Sequence, residues 1–161
     1  MASDLANQLA QTIDREVGNL RAQTEDQASV PRAPGNWCAK EELGHLIDSA
    51  SNNHIRFAIG ALEGRFHGPG YAQDDWVNLH GYATMRWEEI VEFWFSYNRF
   101  LAGLLGRIDE SRLESECSVG TGPPVTLRFL IDDYILHMQH HLDQLLRRDV
   151  ITKYPRTAVE M

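Results

Sequence analysis

Apolar residues recur along this chain at the spacing of helices, and the pattern breaks at a few sharp places. Leu5, Leu9, Ile13, Val17 and Leu20 fall three and four apart, which predicts a helix from about Asp4 to Glu25. Ser3 or Asp4 can cap its start, and Pro31 and Pro34 forbid its continuation. A second helix should begin near Cys38, with Glu41 where a capping-box acid belongs. Leu43, Ile47, Ala50, His54 and Ala61 trace its inner face. Leu46, Ile55, Ile59 and Leu62 widen that face, and Gly64 is a natural stop.

From Gly64 to Gly81 the sequence is rich in glycine, aspartate and aromatics, a compact loop with one short helix around Asp75. A third helix is expected over Thr84 to Ile108, its face marked by Trp87, Trp94, Leu101 and Leu105. Leu113 to Val125 flank a Gly/Pro turn as a small hairpin. Thr126 caps a last helix reaching about Arg148, where Arg147 and Arg148 suit the negative end of the helix dipole. The tail after Val150 reads as irregular. Four amphipathic helices, two of them joined by long crossovers, predict an all-α four-helix bundle.

Length and composition fit that picture. At 161 residues, with 43% apolar and 24% charged residues, the chain suits one domain with a real core, spanning residues 1–161. Its formal net charge of -8 argues against nucleic acid as a partner and against an anionic membrane surface. Cys38 and Cys117 stand far apart and in no metal-binding or redox pattern. No basic-then-apolar leader and no run of about 20 apolar residues is present. The expectation is a cytoplasmic protein with reduced cysteines.

Candidate chemistry concentrates in histidines. His137 and His141 lie one helical turn apart, so one helix can offer both imidazoles to one metal ion. Such a pair is also compatible with ordinary half-buried packing. Asp133 is one further turn back on the same line, in position to orient a ligand. His45 sits on a polar stripe with Glu41, Glu42, Asp48, Ser49 and Asn52. That stripe either faces solvent or walls an internal site. His54 reads as a packed core histidine. His67 and His80 fall in the long loop as spare ligands, and His140 reads as a flanking residue. Phe66, Tyr71 and Trp76 read as packing. The dense aromatics Phe93, Phe95 and Phe100 cannot all face one core, so some apolar surface should remain for a two-fold symmetric homodimer.

The run Trp37-x3-Glu41-Glu42-Leu43-Gly44-His45-Leu46-Ile47-Asp48, with His137-x3-His141-x2-Gln144, resembles the DinB-like, or YfiT-like, family of bacterial proteins. The resemblance spans most of the chain. It departs at Cys38, where members commonly carry a serine or threonine helix cap. What it implies is a four-helix bundle, often dimeric, with one divalent metal ion, zinc or nickel, on His45, His137 and His141.

Three neutral imidazoles leave the metal its full charge and an open position, the pattern of catalytic zinc. Such an ion lowers the pKa of bound water toward about 7 and deprotonates a bound thiol. Two classes of function follow. One, which the resemblance implies, is an enzyme that activates a small thiol, as an S-transferase does, or water, as a hydrolase does, with Asp133 or Glu41 orienting ligands or moving a proton. The other is a non-enzymatic, stress-related or metal-sequestering bundle whose site is vestigial. Free imidazoles titrate near pH 6.5, so metal affinity should fall below about pH 6.

Overall fold

The computed structural model describes residues 1–150 together with Thr152, Tyr154 and Pro155. Most of the tail therefore lies outside the described residues. In chain order the elements are helix α1 (Ala2–Arg21), the short α2 (Glu25–Ser29), α3 (Ala39–Glu63), strand β1 (Arg65–Gly68), α4 (Gln73–His80), α5 (Trp87–Leu105), β2 (Glu116–Val119), β3 (Val125–Thr126) and α6 (Leu127–Leu145). The four long helices are α1, α3, α5 and α6, and they form the expected bundle. Helix α1 packs mainly on α5 and α6, and α3 packs mainly on those same two helices. The chain therefore crosses the bundle diagonal between α1 and α3, and again between α5 and α6. That route sets α3 beside α6, although the two are far apart in sequence.

The predicted faces hold where their spacing is regular. Leu5, Leu9, Ile13, Val17 and Leu20 of α1 are all buried, as are Trp87, Trp94, Leu101 and Leu105 of α5. On α3 the face is narrower than expected. Ile55 and Leu62 are 58% and 79% exposed, and Phe57, with no exposed surface, fills the core instead. Leu43, Leu46, Ile47, Ala50 and Phe57 already make a full apolar stripe, so one helix turn cannot bury Ile55 as well.

The helix ends differ from expectation for local reasons. Helix α1 starts at Ala2, and neither Ser3 nor Asp4 caps it. The Ala2 N–H instead donates to the Glu110 carboxylate at 3.0 and 3.1 Å. It stops at Arg21 because Thr24 caps a new helix, its hydroxyl accepting from the Gln27 N–H at 3.1 Å. Helix α5 begins at Trp87 rather than Thr84, after a 3-10 turn at Tyr82–Thr84. Trp87 is the anchor there. Its backbone N–H donates to Glu25 and its indole N–H to the Leu20 carbonyl, each at 2.8 Å. Helix α3 ends as predicted at Gly64, whose φ of 76° is the left-handed conformation that glycine adopts freely.

The hairpin before α6 is present, with β2 antiparallel to β3. The sequence reading missed a third strand. Arg65–Gly68 pairs in parallel with β2, giving a sheet of order β1-β2-β3. Only Phe66 of that strand is buried, too little alternation to announce a strand. The predicted short helix around Asp75 is α4. Among the described residues no helix is long and apolar enough to cross a membrane.

Candidate metal centre

The site is built where α3 meets α6. Each helix is pinned at its start, and that fixes which side chains point at the partner. On α3 the Glu41 carboxylate accepts the Cys38 backbone N–H at 3.2 Å. On α6 the Thr126 hydroxyl accepts the Phe129 N–H at 3.1 Å. Seven residues into α3, the polar stripe turns inward rather than to solvent. His45, Asp48 and Ser49 are all buried, with His45 only 1% exposed. Trp37 closes over the His45 ring at 5.0 Å between centroids.

His45 from α3 meets His137 and His141 from α6. Nε2 of His45 lies 3.0 Å from Nε2 of His137. The three ring centroids are 4.9, 4.8 and 4.6 Å apart. One nitrogen from each ring lies within 4.8 Å of the others. Zinc bonds imidazole nitrogen at about 2.0–2.1 Å and so holds two such nitrogens no more than about 4.2 Å apart. The cluster is thus within small side-chain rotations of a closed triangle.

Electrostatics favours the same use. Burial, with the neighbouring His141, pushes the His45 imidazole down to about 3. Burial, with His141, His45 and His140 around it, pushes His137 down to about 2. Both rings are therefore neutral, the form that binds metal. This also moves the expected proton competition. For these two candidate ligands in the folded chain it lies well below pH 6, because water no longer stabilises their charged forms. Nδ1 of His45 is buried and meets no hydrogen-bond partner among the described residues. The ring's polar contact among the described residues is at Nε2, toward His137.

The third ligand candidate is oriented from behind. Nδ1 of His141 lies 3.0 Å from a Glu42 carboxylate oxygen, where its N–H donates. In the neutral ring that leaves Nε2 as the nitrogen free of a proton. Glu42 is itself buried, with Arg32 at 3.7 Å from its other oxygen. The sequence reading named Glu41 for such a role, whereas Glu41 is engaged in the helix cap. The capping logic held the clue. Once the acid at the third helical position bonds the cap, its neighbour Glu42 is the one left to face inward.

A cavity of about 300 Å³ opens beside His45 and His137. Asn53, Arg56, Tyr71, Asp133 and Tyr154 are among the residues lining it. Asp133 thus stands on the cavity wall, one turn before His137, and accepts from the Tyr154 hydroxyl at 3.3 Å. Tyr71, expected only to pack, also faces the cavity; its ring stacks on Trp76 at 5.2 Å. Arg56 and Asn53 escaped the sequence reading, because neither has a motif around it.

The remaining histidines do not join the cluster. His54 is half-buried rather than packed in the core, and its Nδ1 lies 2.8 Å from the Tyr97 hydroxyl. His67 is exposed on β1. His80 donates to Asp48 at 2.8 Å, and the Tyr82 hydroxyl donates to the same oxygen at 2.7 Å. Gly44 makes that last contact possible, since a Cβ there would sit 2.1 Å from the Tyr82 ring. His140 pairs with the Gln144 side-chain amide at 2.9 Å.

Comparison with known proteins agrees with this architecture. The sequence profile of the DinB superfamily matches residues 8–145. A Bacillus licheniformis protein provisionally named a metal-dependent hydrolase is 24% identical over 119 residues, covering 73% of this chain and 68% of its own. A Bacillus mycoides protein, named in the same provisional way, is 23% identical over 138 residues, covering 86% of this chain and 75% of its own. Among solved structures, YfiT from Bacillus subtilis aligns with a TM-score of 0.80 at 19% identity, over 91% of this chain and 84% of its own. It is described as a probable metal-dependent hydrolase with an unusual four-helix bundle topology. At that identity the likeness carries the fold.

Proposed function

The chain belongs to the DinB superfamily, and from that premise we propose that it is a metal-dependent hydrolase whose divalent ion, zinc or nickel, is held by His45, His137 and His141. The observation that carries this reading is the triangle of inward-facing imidazoles, with nitrogens within 4.8 Å of one another and two of the three rings held neutral. An ion bound there supplies Lewis acidity and brings the pKa of a coordinated water toward about 7.

The chain's own residues do the rest. Glu42 holds His141 in the tautomer that presents Nε2. Trp37 covers His45 and keeps water off that side of the cluster. The cavity beside His45 and His137 gives a small substrate room to approach from the other side. Asp133, on its wall, would be the residue to accept a proton from a water activated there. Water and a small thiol are alternative nucleophiles at such a centre. The hydrolase names of both Bacillus relatives favour water.

Elemental analysis of the purified protein, followed by zinc or nickel restoration and a panel of esters and amides, tests this. We expect metal-dependent hydrolysis that His137→Ala abolishes. A metal-loaded protein that hydrolyses nothing but joins thiols to electrophiles would replace water by a thiol. A protein that takes up no metal would sink the reading altogether.

A further inference from the structure

Arg56 is the buried side chain that the fold leaves unexplained. It is 9% exposed, and burial holds its guanidinium below the ordinary arginine range. Burying a cation is costly unless an anion faces it. The other buried base, Lys40, obeys that rule through its ion pair with Glu25. Arg56 has no carboxylate within ion-pair distance among the described residues. Its two hydrogen bonds are long ones, 3.4 Å each, to the Asn53 side-chain oxygen and to the Pro69 carbonyl. Among the described residues no carboxylate is close enough to pair with the charge.

Position gives that charge a use. Arg56 lines the same cavity as His45 and His137. It follows His45 on α3 by eleven residues, a rise of roughly 16 Å at 1.5 Å per residue. Helical side chains lean toward the N-terminus, which brings the guanidinium back toward the imidazoles. The cavity is thus lined by two of the imidazoles and by one guanidinium, with the Asp133 carboxylate on its wall. On a chain of net charge -8, that cation is a local exception in a field that repels anions.

We infer that the substrate of this centre is a small molecule ending in a carboxylate, which Arg56 receives while the group to be cleaved lies at the three histidines. This rests on the hydrolytic reading for the histidine end alone. A guanidinium fork matches the two oxygens of a carboxylate in a bidentate pair. One guanidinium also neutralises one charge. A phosphate dianion at Arg56 would keep one charge unbalanced, with no second cationic side chain among the described lining residues and the Asp133 carboxylate on the same wall. The substrate's own carboxylate then supplies the counter-ion that the fold withholds, and Arg56 fixes which way the molecule lies.

Calorimetric titration of the zinc-loaded full chain with straight-chain diacids from succinate to suberate, each against its monoamide, tests this. The monoamide keeps one carboxylate for the metal and loses the other. We expect the best diacid to bind at least tenfold tighter than its monoamide in the wild type. Arg56→Gln should erase that ratio while zinc uptake stays unchanged, and Arg56→Lys, which keeps the charge, should retain part of it. Equal binding of diacid and monoamide by the wild type would overturn the proposal. So would an Arg56→Gln variant that keeps the ratio, or tighter binding of a phosphono analogue than of the diacid. If the wild type takes up no zinc, the hydrolytic reading fails by itself. The same titration on metal-free protein then still reads Arg56, with the diacid expected to bind the wild type and not Arg56→Gln.

Discussion

Helix α6 presents two buried polar regions on two of its faces, and they are built on opposite principles. Toward α1, Arg148 bridges Glu16 at 2.9 Å and Asp143 at 2.7 Å, and Gln139 adds a bond to Asp143 at 3.0 Å. Burial pushes the Glu16 carboxyl up, but its bonds and proximity to Arg148 outweigh that and hold it below the usual range. Toward α3, His137 and His141 meet His45 with nitrogens turned on one another, on a cavity also lined by a guanidinium that has no carboxylate within ion-pair distance among the described residues. The first region pairs opposite charges within the chain and ties α1 to α6. The second leaves its binding capacity open. Residues that are buried and matched within the chain hold the fold, whereas residues that are buried and unmatched await something from outside.

Replacing one residue in each region should separate these roles. The largest effect expected is on metal. His137→Ala should lose metal binding outright in a zinc titration while circular dichroism stays helical. Arg148→Met should do the reverse, keeping the metal and losing stability. Breaking a buried ion pair costs about 3–5 kcal/mol. Water reaches Arg148, so about 2–3 kcal/mol is expected from denaturant unfolding. An Arg148→Met variant that lost metal and kept its stability would erase the contrast.

Next in size is Glu42→Ala. Removing a carboxylate behind a metal-binding histidine typically weakens affinity about 10–100-fold. A competition assay with a chelating dye should place this variant between wild type and His137→Ala. Unchanged affinity would mean that His141 needs no orientation from Glu42.

A smaller effect concerns pH and has a definite sign. His45 and His137 titrate near about 3 and about 2 when folded, below the ordinary 6.5. Between those values the unfolded chain binds protons that the folded chain refuses, so stability falls as pH drops from about 6.5 toward 3. The slope approaches about 1.4 kcal/mol per pH unit for each histidine. Metal-free His137→Leu should show a shallower loss than wild type between pH 7 and 5. Parallel curves would mean that the ring is not held neutral.

The smallest effect lies outside both regions. We propose that two copies of the chain pair through the outer face of α5. Phe93 and Phe100 are 50% and 56% exposed there, next to Tyr97. Phe100→Ser should then shift sedimentation from dimer toward monomer without changing metal uptake. A wild type that sediments as a monomer at micromolar concentration would contradict the pairing.

Much of this could be read from the sequence, for reasons specific to each element. Leu5 through Leu20, and Trp87 through Leu105, announce α1 and α5 because both helices bury one regular stripe. His137 and His141 announce themselves because i, i+4 spacing fixes a shared face. The inward turn of His45 did not follow from spacing. Only the packing of α3 on α6 decides between solvent and interior, and the family resemblance supplied that choice. Glu42 was visible in the polar stripe, but its role depends on Glu41 being engaged at the cap. Arg56 was invisible, because a buried cation with no carboxylate beside it among the described residues is a property of the packed cavity and leaves no pattern in the chain. Strand β1 was invisible too, since its pairing with β2 is made by residues distant in sequence.

The central claim is that α3 and α6 jointly hold one metal ion, and His45 is the residue that tests it, because α6 alone supplies the other two rings. Zinc added to the metal-free wild type should raise its melting temperature, since the unfolded chain has no assembled site. The account predicts that this rise disappears in His45→Ala, and that it persists in His54→Ala and His140→Ala. A His45→Ala variant with wild-type zinc affinity and the same thermal shift would contradict it.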